Sequence, residues 1–209
     1  MRLLLAGSTG LVGRQVLEQA LADPRVDAVV ALTRRALPAH ARLQSVPVDF
    51  DRLPEAAPWW AADAVICTLG TTMRVAGSRE AFRRVDHCYP LAIARHARRH
   101  GTPTCVLNSA IGADAGSRFF YNRVKGDLER DLALLGFPSL ALVRPGAIGG
   151  PREASRPGER VGVLALSLLG PVLPKRWRVN PAPRIAAALI DAALAPHPGL
   201  RVVTSDRLV

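Results

Sequence analysis

The fold is decided by the opening stretch of the chain, Arg2-Leu-Leu-Leu-Ala6 followed by Gly7-Ser-Thr-Gly10-Leu-Val-Gly13. An apolar strand that runs into three glycines and then into helical spacing over Leu11–Leu21 predicts a strand–loop–helix unit. Glycine permits the tight turn and the close approach of a pyrophosphate, and the free N–H groups of the helix attract phosphate. With this GxxGxxG spacing, a plain turn stays an alternative. We expect a dinucleotide to be bound by Gly7, Ser8, Thr9, Gly10, Leu11, Val12 and Gly13.

The rest of the chain alternates short apolar runs with helical stretches. Continuous runs of Val, Ile, Leu and Ala predict parallel strands covered on both faces, at residues 28–32, 43–48, 64–69, 104–107, 139–143 and 201–204. Helices are expected over residues 79–99, 118–135, 162–169 and 184–194, the first capped by Ser78 and kinked at Pro90. This pattern predicts an α/β fold, a Rossmann-like doubly wound parallel sheet with a short, helix-rich carboxyl-terminal part.

The length of 209 residues predicts a single domain. Residues 1–144 are expected to form the dinucleotide-binding core. Residues 145–209 are expected to form a small part on the substrate side that does not fold independently.

The charge distribution argues against a nucleic-acid partner. The formal net charge is +11, and all but two of the 28 basic residues are arginine. The excess is spread evenly over the two halves of the chain, whereas a nucleic-acid-binding surface needs a basic patch or stripe with aromatic residues interleaved. We therefore expect no nucleic-acid partner.

Cysteine usage and hydropathy indicate a soluble cytoplasmic protein. Cys67, Cys88 and Cys105 lack metal-ligand spacing, so we expect buried free thiols and no metal site. The amino-terminal apolar run is too short for a signal peptide, and Val161–Pro174, the longest uncharged stretch, is too short to span a bilayer. That stretch fits either a core helix or a homodimer contact.

The end of the second strand bears on which cofactor binds. The strand is followed by Arg34 and Arg35. A site for NAD carries an acidic residue at this point, which binds the ribose 2′-hydroxyl. Guanidinium groups suit a 2′-phosphate instead, so we predict NADP(H), although one arginine of the pair could be a plain surface residue. The third strand ends at Asp49-Phe50, which either borders the adenine or forms a turn. Small and hydroxyl residues follow the fourth strand, where we expect cofactor contacts from Leu69, Gly70 and Thr71.

A tyrosine and a lysine lie four residues apart at Tyr121 and Lys125, in a chain with two tyrosines and two lysines. On a helix this spacing places both on one face. A nearby cation lowers the tyrosine pKa from its ordinary ~10 by favouring the phenolate. We expect Tyr121 to act as general acid/base in a hydride transfer, with Lys125 tuning it and holding the cofactor ribose. Ser109, after the fifth strand, is expected to orient the substrate oxygen. The alternative is an exposed tyrosine beside a solvated lysine.

These residues resemble the short-chain dehydrogenase/reductase superfamily, and more specifically its atypical branch, which contains the Tat-interacting protein and bacterial relatives. The similar segments span residues 3 to 160, and beyond the glycine loop they are Cys67–Thr72, Phe82–Asp86, Ser109–Asp114 with Ser117, Tyr121–Gly126, Arg144–Gly146, Gly150–Glu153 and Arg156–Glu159. The resemblance implies a Rossmann fold that binds NADP(H), with Ser109, Tyr121 and Lys125 at the catalytic positions. It also implies that Pro145 and Gly146 lie near the nicotinamide.

The chain departs from the superfamily pattern in two respects. Where many members have an Asn that supports a proton relay, this chain has Asp86, which either takes that role or caps the kink before Pro90. Only 65 residues follow Arg144, too few for a large substrate lobe, so the substrate should be small. The loop over residues 152–160 is either a lid or a solvated loop.

We therefore expect an NADP-dependent oxidoreductase acting on a small carbonyl or alcohol. The alternative is an NADP(H)-binding regulatory or interaction protein without robust turnover.

Overall fold

Strand β1 (Arg2–Ala6) lies in the middle of a parallel sheet, between β2 (Ala28–Thr33) and β4 (Ala64–Cys67). The computed structural model describes residues 1–149, residue 174 and residues 178–209. The sheet is completed by β3 (Leu43–Pro47), β5 (Thr104–Asn108), β6 (Ser139–Arg144) and β9 (Gly199–Thr204). Its order is β3-β2-β1-β4-β5-β6-β9, and every neighbouring pair is parallel. The predicted doubly wound Rossmann-like fold is confirmed.

Helices cover both faces of this sheet. They are α1 (Leu11–Ala22), α2 (Met73–Ala76), α3 (Arg79–Arg83), α4 (Tyr89–Arg99), α5 (Phe120–Ala133) and α6 (Ala182–Leu194), and a short pair of strands, β7 (Ile148–Gly149) and β8 (Asn180–Pro181), lies outside the main sheet. Alternate residues of β1 point into different cores. Leu3 and Leu5 pack with α1 and α6, whereas Leu4 and Ala6 pack with α4 and α5. A central strand buried on both faces explains its unbroken apolar sequence.

The helix expected over residues 79–99 is interrupted. Ser78 caps it as predicted, accepting a hydrogen bond from the Ala81 amide at 3.1 Å. A π-helical turn, Arg84–Cys88, then separates α3 from α4, and Pro90 lies in the first turn of α4. Proline has no N–H to donate to the preceding turn, so the chain widens just before it. The π turn directs Asp86 and His87 toward α5, where Asp86 forms an ion pair with Lys125 and His87 is hydrogen-bonded to Asp131.

Other predictions are corrected or fall outside the described residues. Cys67 and Cys105 are buried, but Cys88 is exposed because it lies on the outer side of the π turn. The helix expected over residues 162–169, the loop over residues 152–160 and most of Val161–Pro174 lie outside the described part of the chain.

The sheet order places a cleft at the carboxyl ends of β1 and β4. Connections from β1 and β4 leave toward opposite sides of the sheet, and ligands of open α/β sheets bind at such a point. The loops that follow both strands meet there, since the Thr68 amide donates to the Ala6 carbonyl at 2.8 Å.

Candidate functional site

The glycine loop forms a tight turn against the segment after β4. Gly7 has a φ of +91°, and the Gly10 amide donates to the Gly7 carbonyl at 3.0 Å. A Cβ on Gly13 would lie 2.0 Å from that carbonyl oxygen. Only glycine permits this close approach of α1 to the loop. The first residues of α1, Leu11 and Val12, line the cleft, so the start of the helix faces it.

A cavity of about 530 Å³ opens on one side of the loop, and we call it the Arg34 cavity. Its described lining includes Gly7, Ser8, Thr9, Gly10, Thr33, Arg34, Phe50, Leu69, Gly70, Thr71 and Tyr89. Arg35 is exposed and lies outside this lining, so the two neighbouring arginines have different surroundings.

Two residues that line the Arg34 cavity carry a buried hydroxyl with no hydrogen-bond partner in the described part of the chain. Ser8 Oγ and Thr33 Oγ1 are buried and make no hydrogen bond within the described residues. Buried polar atoms are normally paired, so unpaired ones beside a cavity indicate that a ligand supplies the partner.

Phe50 and Tyr89 form an aromatic wall in this cavity, with ring centroids 5.6 Å apart. Asp49 instead forms a turn, accepting a hydrogen bond from the Asp51 amide at 3.0 Å, and is not among the described lining residues. Sequence reasoning missed Tyr89. No local sequence pattern marks Tyr89 as a cavity residue, since its ring meets Phe50 only in the folded chain.

A second cavity, of about 430 Å³, adjoins the first and shares Gly10 and Leu69–Thr71 with it. We call it the Tyr121 cavity. Its described lining includes Gly10, Leu11, Val12, Arg14, Thr71, Arg74, Asp86, Asn108, Ser109, Tyr121, Lys125 and Ile148. The three residues expected to be catalytic therefore lie in one cavity that is continuous with the glycine loop.

Helix α5 carries Tyr121, Lys125 and Glu129 at intervals of four residues, hence on one face. Lys125 is 4% exposed, and its Nζ lies 2.8 Å from Oδ1 of Asp86, which is 1% exposed. Burial alone would lower the pKa of Lys125, but the charge of Asp86 and the hydrogen bond to it raise the pKa above its usual value. Lys125 is therefore a charged ammonium at neutral pH.

Asp86 also binds the loop after β4, because its Oδ2 accepts a hydrogen bond from the Thr71 amide at 2.8 Å. The sequence left two roles open for Asp86: support of a proton relay, or a cap at the kink before Pro90. Within the described residues, no side chain caps the start of α4. The carboxylate instead links the loop after β4 to Lys125.

Ser109 is held by a buried carboxylate that sequence reasoning missed. Its Oγ donates to Glu129 Oε1 at 2.5 Å, and both residues are buried. Arg144 pairs with both oxygens of Glu129, donating from Nε to Oε1 at 3.0 Å and from Nη2 to Oε2. The hydrogen bonding of Arg144 to the Glu129 carboxylate raises the pKa of Arg144. The spacing of Glu129 four residues after Lys125 was the available signal.

Pro145 and Gly146 follow β6 but do not appear among the described lining of either cavity. The Pro145 carbonyl accepts from the Ile111 amide at 2.8 Å, and the Gly146 amide donates to Oδ1 of buried Asn180 at 2.7 Å. These contacts tie the end of β6 to the loop after β5 and to β8. That Pro145 and Gly146 lie near the nicotinamide therefore stays a prediction.

The residues present suit a dinucleotide. The glycine loop presents the start of α1, and both cavities adjoin it, one lined by Arg34 and the other by Tyr121, so that each half of a dinucleotide has a separate space. Unpaired Ser8 Oγ and Thr33 Oγ1 lie on one side, and Asn108 Oδ1, also buried without a partner among the described residues, lies on the other.

The fold and its glycine loop define the class of Rossmann-type dinucleotide-binding proteins. A family model described as NAD(P)H-binding matches residues 7–132, and the chain belongs to this family. Protein HTATIP2 of Rattus norvegicus is 34% identical over 213 residues, which cover 98% of this chain and 86% of that protein. Protein FMP52, mitochondrial, of Eremothecium gossypii is 39% identical over 160 residues, covering 76% of this chain and 71% of that protein. The resemblance to the Tat-interacting-protein-like branch is confirmed.

Solved structures support the same fold at lower sequence identity. MoeE5 in complex with UDP-glucose and NAD has a TM-score of 0.74 and 17% identity, over 97% of this chain and 75% of that one. The Bordetella bronchiseptica enzyme WbmH in complex with NAD⁺ has a TM-score of 0.71 and 15% identity, over 98% of this chain and 75% of that one.

The expected cytoplasmic location is contradicted by the relatives. FMP52 proteins of several fungi are named as mitochondrial. The prediction was wrong because a short apolar run argues only against a secretory leader and does not distinguish other compartments. Within the described residues, no helix has the length and apolar character needed to cross a bilayer.

Proposed function

We propose that this protein is an NADP(H)-dependent oxidoreductase acting on a small carbonyl or alcohol. The observation that carries the proposal is that Ser109, Tyr121 and Lys125 line a cavity continuous with the glycine loop. A proton donor or acceptor and a buried cation thus lie beside the surface on which the family binds its dinucleotide. A bound nicotinamide supplies or accepts the hydride.

Each residue has a distinct role in this proposal. The Tyr121 hydroxyl exchanges a proton with the substrate oxygen. Lys125 holds the ribose hydroxyls and acts on Tyr121 through its charge. Ser109 orients the substrate oxygen, and because its own proton is donated to Glu129, its oxygen accepts a hydrogen bond from the hydroxyl of the alcohol form of the substrate. Pro145 and Gly146 border the nicotinamide.

The preference for NADP(H) is assigned to the Arg34 cavity. Arg34 lines it with the two unpaired hydroxyls of Ser8 and Thr33. A guanidinium with neighbouring hydroxyl donors suits a 2′-phosphate. Arg35 lies outside the lining, so we assign the phosphate contact to Arg34 alone.

The domain organisation is part of the same proposal. Among the residues that the structure describes, those lining the two cavities all belong to residues 1–144, except for Ile148. After residue 144, β9 forms one edge of the sheet and α6 packs into its core. Because these elements complete the same sheet and core, they support a single domain of 209 residues.

The test is turnover of NADPH against a panel of small aldehydes, ketones and hydroxy-carbonyl compounds. Tyr121→Phe keeps the ring and removes the hydroxyl, so we expect the rate to fall by about 10²–10⁴-fold while NADPH affinity changes less than about twofold. A variant that keeps the parent rate would contradict the role of Tyr121.

The second candidate is an NADP(H)-binding interaction protein without robust turnover. It is supported by the ion pair of Lys125 with Asp86 and the hydrogen bond of Ser109 to Glu129, which engage both side chains before any ligand binds. NADPH binding without turnover of any compound in the panel would favour this candidate.

A further inference from the structure

Two neighbouring residues at the end of β5, Asn108 and Ser109, line the Tyr121 cavity. The backbone at this point is fixed to β6, because Asn108 pairs with Val143 in the sheet and the Ser109 amide donates to the Val143 carbonyl at 2.7 Å. Side chains on such a rigid strand end are held in place before a ligand arrives. The hydrogen-bonding groups that they offer therefore indicate which ligand atoms fit beside them.

Ser109 offers an acceptor, because its single proton is already used. Its Oγ donates to Oε1 of Glu129 at 2.5 Å, and Arg144 holds both oxygens of that carboxylate. A hydroxyl has one proton, and a carboxylate is a stronger acceptor than a neutral carbonyl oxygen. A ligand carbonyl therefore does not displace Glu129, and the lone pairs of Ser109 Oγ suit an O–H or N–H of the ligand.

Asn108 offers a second acceptor. Its Oδ1 is buried and has no hydrogen-bond partner in the part of the chain that the structure describes. Asn180 shows the ordinary arrangement, since its Oδ1 accepts from the Gly146 amide at 2.7 Å and its Nδ2 donates to the Ser205 carbonyl at 2.9 Å. The terminal torsion of an asparagine side chain is soft, so Oδ1 of Asn108 can turn to a donor that a ligand brings into the cavity.

We propose that Asn108 is a specificity-determining residue that accepts a hydrogen bond from a second hydroxyl of the substrate, on the carbon next to the reacting one. This inference rests on the proposed function and names its substrate class, small hydroxy-carbonyl compounds and the corresponding diols. A plain carbonyl compound brings no donor and leaves Oδ1 of Asn108 unpaired beside it. Sites built to bind a substrate hydroxyl reject analogues that lack it, because the buried polar group is then left without a partner.

Donors for Asn108 have two sources, the substrate and the nicotinamide half of the cofactor, whose ribose hydroxyls and carboxamide also carry O–H and N–H groups. The substrate is favoured for two reasons. Asn108 directly precedes Ser109, which is assigned to the substrate oxygen, whereas the ribose is assigned to Lys125 on α5. The experiment therefore measures substrate preference and NADPH affinity separately.

The test compares hydroxyacetone with acetone, which differ by one hydroxyl. With NADPH bound, the dissociation constant of each compound is measured from the change in NADPH fluorescence, and kcat/KM is measured where turnover occurs. We expect the parent protein to prefer hydroxyacetone by about tenfold or more. Asn108→Leu has a similar volume but no acceptor, so it should reduce the preference to about twofold or less. Asn108→Asp keeps an acceptor and has no N–H, so it should keep the preference.

A measurement of stability needs no ligand. Asn108→Leu removes an acceptor that has no partner among the described residues, so the Tm of the unliganded protein should stay within about 1 °C of the parent or rise. Asn180→Leu is the matched control, which loses two hydrogen bonds and should lower the Tm by about 4 °C or more. Equal losses of Tm in the two variants would show that Asn108 serves the fold, and would overturn the proposal.

The binding results overturn the proposal if the parent does not prefer hydroxyacetone, if Asn108→Leu keeps the preference, or if Asn108→Asp loses it. An Asn108→Leu protein that binds NADPH more weakly but keeps the preference also overturns it, because the donor then belongs to the nicotinamide half. The proposed function fails in a different way. NADPH binding without turnover of any compound contradicts the oxidoreductase, whereas turnover without a preference for the hydroxyl contradicts only the role of Asn108.

Discussion

The Arg34 cavity and the Tyr121 cavity share the loop Leu69–Thr71 but satisfy their polar groups in different ways. In the Arg34 cavity, two buried hydroxyls have no partner among the described residues. In the Tyr121 cavity, Lys125 and Ser109 are both bound to buried carboxylates, and Asn108 Oδ1 is the described exception.

This difference separates binding from chemistry. Unpaired groups gain hydrogen bonds when a ligand arrives, so they add to affinity. Groups already held by the protein gain less, but they need no reorganisation when charge moves during a reaction. We therefore expect mutations in the Arg34 cavity to change ligand affinity, and mutations behind the Tyr121 cavity to change stability and proton transfer.

The largest effect is expected at Gly13, in the loop that borders both cavities. A Cβ there would lie 2.0 Å from the Gly7 carbonyl oxygen, so Gly13→Ala should destabilise the fold by about 3 kcal/mol or more and abolish NADPH binding. Gly116→Ala is the control, because its Cβ would meet the nearest atom at an ordinary 3.5 Å. Urea unfolding measures both, and a Gly13→Ala protein as stable as the parent would contradict the account.

The next effect is expected behind the Tyr121 cavity. Glu129→Ala leaves the Ser109 hydroxyl and the Arg144 guanidinium without their acceptor, which should cost about 2 to 3 kcal/mol of unfolding free energy. Glu80→Ala removes the exposed pair with Arg84 and should change stability by no more than about 0.5 kcal/mol. Equal losses in the two variants would show that the buried network does not stabilise the site.

A smaller and more selective effect is expected at Arg34. Arg34→Ala removes a charge-assisted hydrogen bond to a 2′-phosphate worth about 1.5 to 3 kcal/mol, so NADPH affinity should fall roughly tenfold to a hundredfold. NADH affinity should stay nearly unchanged. Arg35→Ala is the matched control and should leave both affinities as they are. Fluorescence titration with each nucleotide measures this, and equal losses in the two variants would remove the assignment to Arg34.

The smallest effect compares two buried threonines. Thr33 Oγ1 is unpaired within the described residues, whereas Thr102 Oγ1 donates to the Trp60 carbonyl at 2.7 Å and accepts from the Ala62 amide at 3.1 Å. Thr102→Val should destabilise the protein by about 1 kcal/mol or more. Thr33→Val should leave the unliganded protein as stable as the parent and weaken NADPH binding several-fold. A destabilised Thr33→Val protein would mean that the two cavities do not differ as described.

The sequence predicted the sheet well because its strands are continuous apolar runs. The prediction for β1 has the observed bounds, and the helix expected over residues 118–135 appears as Phe120–Ala133. The two-residue strands β7 and β8 were missed, since they are too short for any periodicity. The π turn was missed too, because hydrophobic spacing does not distinguish a widened turn from an α-helix.

The candidate site was predictable in its parts but not in its connections. Gly7, Tyr121 and Lys125 were singled out by rarity and spacing, and the structure places all three at the two cavities. The spacing of Glu129 four residues after Lys125 was a usable signal, but its ion pair with Arg144 was not, because a contact between a helix and a strand end leaves no local pattern. The pairing of Asp86 with Lys125 could not be predicted either, because the two residues meet only when the π turn packs on α5.

The central claim is that the Arg34 cavity binds NADP(H), and thermal shift with NADPH and NADH side by side tests it most directly. A ligand that binds only the native state adds ~2.7 kcal/mol of stability at a hundred times its dissociation constant. We expect a clear rise in Tm with NADPH and a smaller one with NADH at the same concentration. No rise with either nucleotide, or a larger rise with NADH, would contradict the claim.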